Sequence, residues 1–182
     1  ALSGDQNYKD KAFDIKLRLL EEDALRPEVA VGGRDIAGTG LFSGEYFVAS
    51  KRFGDFDVTL GIGWGYVGNS GSIDNPLGWI DARYDERHDF VPGGEGGELS
   101  FDSWFRGRSA LFGGVQWQTP WSPLQLMLEY DGNDYRNEPQ GNRQEHDSPF
   151  SIGAVYRLHD WIDLRAGWER GNTPMIGINI HS

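Results

Sequence analysis

Between positions 56 and 66 the chain alternates without a break: Phe56, Val58, Leu60, Ile62, Trp64 and Tyr66 are large and apolar, while Asp57, Thr59, Gly61, Gly63 and Gly65 are small or polar. Period-two alternation held this long gives an extended strand one greasy face, which no helix can produce. At roughly 3.3 Å per residue and a tilt of about 40°, these eleven residues rise about 27 Å, close to the ~25 Å apolar band of an outer-membrane barrel. The stretch is long enough for a membrane crossing.

The same period recurs along the chain. Strands are expected near 12–22, 27–35, 42–51, 56–67, 109–118, 123–131, 149–157, 161–169 and 174–181, within one barrel segment covering 1–182. In the third, Tyr46 and Val48 are read as facing away from Glu45 and Phe47. The links near 22–26, 52–55, 119–122 and 158–160 are short and fall on one end; those near 36–41, 68–107, 132–147 and 170–173 fall on the other. Short turns at one end and long loops at the other are the habit of outer-membrane barrels. The expected fold is therefore an antiparallel up-and-down transmembrane β-barrel, or part of a larger one, with about nine strands and a long outer loop at 68–107. An odd strand count leaves an edge that further strands must cover.

That loop is long enough to be functional or disordered, but Trp79, Ile80, Phe90, Val91, Leu99, Phe101, Trp104 and Phe105 give it too much apolar surface for a solvated tail. It is expected to fold over or into the lumen, with Trp79 and Trp104 as candidates for stacking on sugar rings.

Composition narrows the classes further. A net charge of -11 opposes a general nucleic-acid binder, whose phosphate contacts call for clustered Lys and Arg. The absence of cysteine fits an exported bacterial protein that needs no disulfides. No run of eighteen apolar residues occurs, which excludes a transmembrane helix and leaves a barrel untouched. The chain begins without a charged-then-apolar leader, so an export signal is expected upstream or already removed.

The charges on the polar faces carry both signs: Asp14, Lys16, Arg18, Glu45, Asp57, Glu129, Asp131, Arg157, Asp163, Arg165 and Glu169. They are expected to line a polar lumen and mostly to pair there, since Arg or Lys on a lipid face costs about 2–4 kcal/mol at the midplane. Trp64, Tyr66, Tyr130 and Trp168 near the loop ends, and Trp117, Trp121 and Trp161 near the turn ends, read as two aromatic girdles. Gly61, Gly63 and Gly65 lie inside an alternating strand with no helix after them, so they are not a nucleotide loop; they leave room for the long loop or a neighbouring side chain. His88, His146, His159 and His181 lie far apart, without metal-ligand or triad spacing. Asp131, Asn133, Asp134 and Glu138 read as an acidic surface loop in preference to a calcium site. No catalytic residue, metal or cofactor is expected.

Specific runs go beyond the pattern. RDIAGTGLFS at 34–43, EYFVASKRFG at 45–54, GIGWG at 61–65, FGGVQWQTPW at 112–121, LEYDGNDY at 128–135 and ERGNT at 169–173 resemble the YjbH-like family of Gram-negative exopolysaccharide- and capsule-associated outer-membrane proteins. The resemblance implies an internal piece of a longer chain that serves polysaccharide production or export, and it carries over no catalytic residue. The expected partners are outer-membrane lipid, polysaccharide, other envelope secretion proteins and the rest of the parent chain. Two alternatives stand beside the conduit: a structural or assembly protein with a plugged lumen, and a soluble carbohydrate-binding β-sandwich whose apolar faces form a core.

Overall fold

A computed structural model describes residues 12–36, 40–87, 101–136 and 143–181. Among them are nine strands: β1 (Ile15–Leu20), β2 (Glu28–Arg34), β3 (Gly44–Phe53), β4 (Phe56–Trp64), β5 (Ser109–Gln118), β6 (Leu124–Tyr130), β7 (Phe150–His159), β8 (Ile162–Glu169) and β9 (Thr173–Ile180). Each pairs antiparallel with its neighbour in sequence, giving one open nine-stranded meander with β1 and β9 at its edges. All the described strands share a single sheet, so the described residues do not form the two-sheet sandwich expected as an alternative.

Residues opposite one another in a ladder share a face, so the register defines the two faces directly. One row runs Val29, Ala49, Leu60, Gly113, Tyr130, Phe150, and the next runs Val58, Val115, Leu128, Ile152, Trp168. Between them, on the other face, runs Glu28, Ser50, Thr59, Gly114, Glu129, Ser151. The sheet thus has one apolar and one polar face from edge to edge. Among the described residues nothing covers most of the apolar face: Leu60 is 59% exposed, Ile152 57% and Ile178 65%, and Ala30, Trp64 and Ala110 are the buried apolar residues.

Several boundaries differ from the sequence reading. The β3–β4 turn is only Gly54 and Asp55, with Gly54 at φ +59°, and it sets Phe53 opposite Phe56 and Phe47 opposite Ile62. That register turns β3 over: Phe47 and Ala49 join the apolar face, while Tyr46, Val48 and Ser50 lie on the polar one. Glu45 follows Phe47 onto the apolar face and is not a polar-face residue. β4 stops at Trp64 because Gly65, at φ +60°, starts a 3₁₀ turn over Gly65–Gly68. Val67 of that turn lies on the polar face, where a Cβ on Gly63 would come within 2.6 Å of its Cγ1. A bulge between Arg18 and Leu20 shortens the regular pairing of β1.

Of the long loop, 88–100 lies outside the described residues; the described parts on either side are fastened at the apolar face, at Glu45 and Trp64. The Glu45 carboxylate accepts two hydrogen bonds from Arg87, 2.8 Å from Nη1 and 3.0 Å from Nη2, and a third from Phe105 N at 2.8 Å. Arg87 Nη2 also donates to Ser43 Oγ at 3.0 Å. Beside this pair, Trp64 Nε1 donates to Asn75 Oδ1 at 2.9 Å, and Asn75 Nδ2 donates to the carbonyls of Tyr84 and Phe105 at 2.7 and 3.0 Å. The Phe105 ring stacks on Phe47 and meets Trp64 edge-on, both at 5.3 Å. A buried carboxylate with three donors is satisfied; one stripped of its cation is not.

Arg87→Ala leaves the Glu45 carboxylate, 2% exposed, without its cation, and is expected to cost about 3–5 kcal/mol in urea unfolding of the folded protein. The same variant should open residues 70–87 to limited proteolysis. Wild-type stability and protection would contradict the clasp.

Candidate functional site

The polar face curves into a groove of about 850 Å³, lined among others by Ser50, Asp57, Thr59, Gln116, Glu129 and Tyr135. On the same face, aromatic rings are laid across glycines. A Cβ on Gly32 would fall 2.3 Å from Tyr46 Cζ, and one on Gly61 would fall 2.2 Å from Phe112 Cζ. The inward glycines therefore make room for neighbouring rings, and Tyr46 and Phe112 meet edge-on at 6.2 Å. The Ser50 and Thr59 hydroxyls hydrogen-bond across β3 and β4 at 2.9 Å.

Of the charges expected on this face, Lys16, Arg18, Asp57, Glu129, Arg157, Asp163, Arg165 and Glu169 share its strand parity, with Asp14 and Asp131 continuing it just outside β1 and β6. Several pair in place: Arg18 with Glu21 at 2.7 Å and Glu28 at 3.7 Å, Arg52 with Asp57 at 3.9 Å, and Asp163 with Arg157 at 3.8 Å and His181 at 2.8 Å. Asp14 Oδ1 accepts from Asp35 N at 3.0 Å, closing the β1–β2 end of the wall. Glu45 alone among the expected set sits on the opposite face, in the clasp.

At the rim, residues 131–135 fold on themselves. Asp131 Oδ1 accepts from Asn133 N at 2.9 Å, Asn133 Oδ1 accepts from Tyr135 N at 2.8 Å, and the Tyr135 hydroxyl donates to Asp131 Oδ2. Burial, then that hydrogen bond and the Asp131 charge, hold the Tyr135 phenol well above the usual tyrosine range, so it remains a donor. The loop is tied to the 3₁₀ turn by Asp134 N donating to Asn69 Oδ1 at 2.8 Å. These carboxamides and carboxylates serve turn geometry; Glu138 lies outside the described residues.

The aromatic girdles divide. At the turn end Trp117 stacks on Phe56 at 5.7 Å, Trp121 meets Tyr156 at 5.2 Å and Trp161 meets His159 at 5.6 Å. At the loop end Tyr130 meets Phe150 at 5.2 Å, and Trp168 is exposed. Trp64 and Tyr66 do not belong to that belt. Trp64 is buried under the loop, and Tyr66 packs on Phe42 at 5.1 Å after the chain has left β4. Trp79 and Trp104 lie in different surroundings: Trp79 is exposed on the loop, while Trp104 is half-buried and edge-on to Phe105 at 6.3 Å. Asn75, Arg87 and Phe105, which decide where the loop sits, carried no local signal in the sequence. Their partners on β3 and β4 are 11 to 60 positions away. No helix of the described residues is long and apolar enough to cross a membrane, which says nothing about crossing by strands.

Residues 1–182 match the YjbH family, described as "Exopolysaccharide biosynthesis protein YbjH". The "Uncharacterized lipoprotein YjbH" of Escherichia coli (strain K12) is 52% identical over 182 residues, which is all of this chain and 26% of that protein. The chain thus spans about a quarter of the relative's length. No solved structure matches it. With the family matched from end to end and half of the residues shared with that relative, this chain belongs to the YjbH exopolysaccharide-biosynthesis family.

Proposed function

We propose that this chain forms part of the wall of an outer-membrane β-barrel that acts as accessory or conduit in extracellular polysaccharide secretion. The observation that carries the reading is the uncovered apolar face, continuous from β1 to β9, backed by a polar face with paired charges. In water such a face has no stabilising partner, and exposed apolar patches of a few hundred Å² already mark an interaction surface. Against hydrocarbon it is complementary, and its flanking aromatics suit the interfaces. The lipoprotein name of the relative agrees with an envelope location.

Strand direction supports a barrel completed by other strands. Neighbours alternate in direction, so β1 and β9 run the same way and cannot pair antiparallel with each other. An even-numbered antiparallel barrel takes an odd number of further strands between them, and the remainder of the parent protein is the proposed source. Outer-membrane lipid, polysaccharide and other envelope secretion proteins are the proposed partners. In the long loop, Trp79 and Trp104 are the aromatic surfaces proposed to meet sugar.

Leu60→Arg places a cation on the lipid side of β4 and should weaken folding into bilayers by about 2–4 kcal/mol, whereas Thr59→Arg on the polar side should not. Equal effects of the two would contradict lipid contact. Polysaccharide export should fall when Trp79 and Trp104 are both changed to alanine, with the protein still folded and inserted. A planar bilayer then separates a conduit from a plugged assembly protein: stepwise conductance of the full-length protein supports the former, and its absence the latter.

A further inference from the structure

Trp79 closes the 3₁₀ turn Pro76–Trp79 and is 86% exposed, yet the turn itself is rigidly held. Asn75, 5% exposed, accepts from Leu77 N at 3.1 Å through its side chain and from Gly78 N at 3.0 Å through its carbonyl, while its amide is tied to Tyr84 and Phe105. The indole is thus presented on a fixed support, at little conformational cost to a ligand. It lines a cavity of about 450 Å³ together with Asp74, Asp85 and Arg108. Two of these charged groups are seated where glycine leaves space. A Cβ on Gly78 would lie 1.8 Å from Asp85 Oδ1, and one on Gly71 would lie 2.4 Å from Arg108 Nε. Arg108 is further held by Nη2 donating to Ser70 O at 3.2 Å.

A flat indole beside two carboxylates and a guanidinium suits one class of ligand. A pyranose offers an apolar C–H face to the ring, hydroxyl protons to the carboxylates and hydroxyl lone pairs to the arginine. Hydrocarbon does not suit it, since Asp74 and Asp85 would have to be desolvated alongside Trp79. Two carboxylates against one guanidinium, in a chain of net charge -11, also repel a polyanion. We propose that this cavity is a glycan-binding subsite for neutral pyranose units, with Trp79 as stacking platform and Asp85 and Arg108 as hydroxyl partners. The inference rests on the polysaccharide reading above and narrows it to the cavity at Trp79, which Trp104 does not line.

The test is isothermal titration of the full-length protein, in an amine-oxide detergent free of sugar, with neutral hexasaccharides of glucose, mannose and galactose and with hexagalacturonate. At least one neutral hexasaccharide should bind saturably and hexagalacturonate should not. Trp79→Ala should weaken that binding about tenfold, within the range of aromatic contacts. Asp85→Asn should weaken it as well, and Trp121→Ala, at the opposite end of the strands, should leave it intact. Neutral-glycan binding that survives both Trp79→Ala and Asp85→Asn would overturn the subsite while leaving the polysaccharide role standing. Failure of every neutral hexasaccharide to bind would overturn the subsite, and continued export by Trp79→Ala, Trp104→Ala cells would separately overturn the role. Quenching of Trp79 by brominated phospholipid, read against Trp79→Phe and unaffected by glycan, would assign the indole to lipid and also overturn the subsite.

Discussion

The strand register of a single sheet decides almost everything else about this molecule. With a side-chain period of two, slipping any ladder by one residue would move its whole apolar set to the other face. Apart from bulges in the β1–β2 and β7–β8 ladders, the eight ladders keep the same parity, so Val29, Ala49, Leu60, Gly113, Tyr130 and Phe150 stand in one row although they come from six strands. The two-residue turns at Gly54–Asp55 and Asp160–Trp161 are the tightest of the devices that hold it. Because no second layer among the described residues covers most of the apolar face, this parity has little core to enforce it. It is enforced by turns, by ladder hydrogen bonds and, in the proposed setting, by lipid.

The long loop shows how a charged group can belong to the apolar face. Glu45 lies in the same parity as Phe47, where an unpaired carboxylate would be ruinous. Arg87 and Phe105 N satisfy it, and the rings of Phe47, Trp64 and Phe105 close around the pair. Phe105 takes φ +56° to do so, a backbone cost that the surrounding contacts offset. The clasp keeps residues 75–87 over the loop end of β3 and β4 and so fixes where Trp79 stands. The polar groove is left to Val67, Tyr66 and the rim residues 131–135, which are themselves hydrogen-bonded into turns.

Much of the fold was legible because alternation is a local signal. β4, β5 and β6 follow it closely, and their faces read directly from the residues. β3 misled because Tyr46 and Val48 are as apolar as Phe47 and Ala49, so the pattern alone does not say which set faces out. Only the pairing of Phe53 with Phe56 across the turn settles it. Trp64 and Tyr66 carried the alternation two residues too far, since a glycine in the left-handed region breaks a strand without changing its hydrophobic period. The clasp was illegible for a different reason: Glu45 meets partners 42 and 60 positions away, and no spacing in the chain announces such contacts. The polar-face charges were found by parity, whereas their individual pairings come from geometry alone.

The central claim is that the two faces meet different media. The most direct test places a nitroxide label singly at each position from 56 to 60, and at 62, of the full-length protein in phospholipid vesicles and compares accessibility to oxygen with accessibility to a water-soluble nickel chelate. The account expects oxygen to dominate at Phe56, Val58, Leu60 and Ile62, and the chelate at Asp57 and Thr59. Chelate accessibility at every position, or no alternation, would contradict a membrane wall.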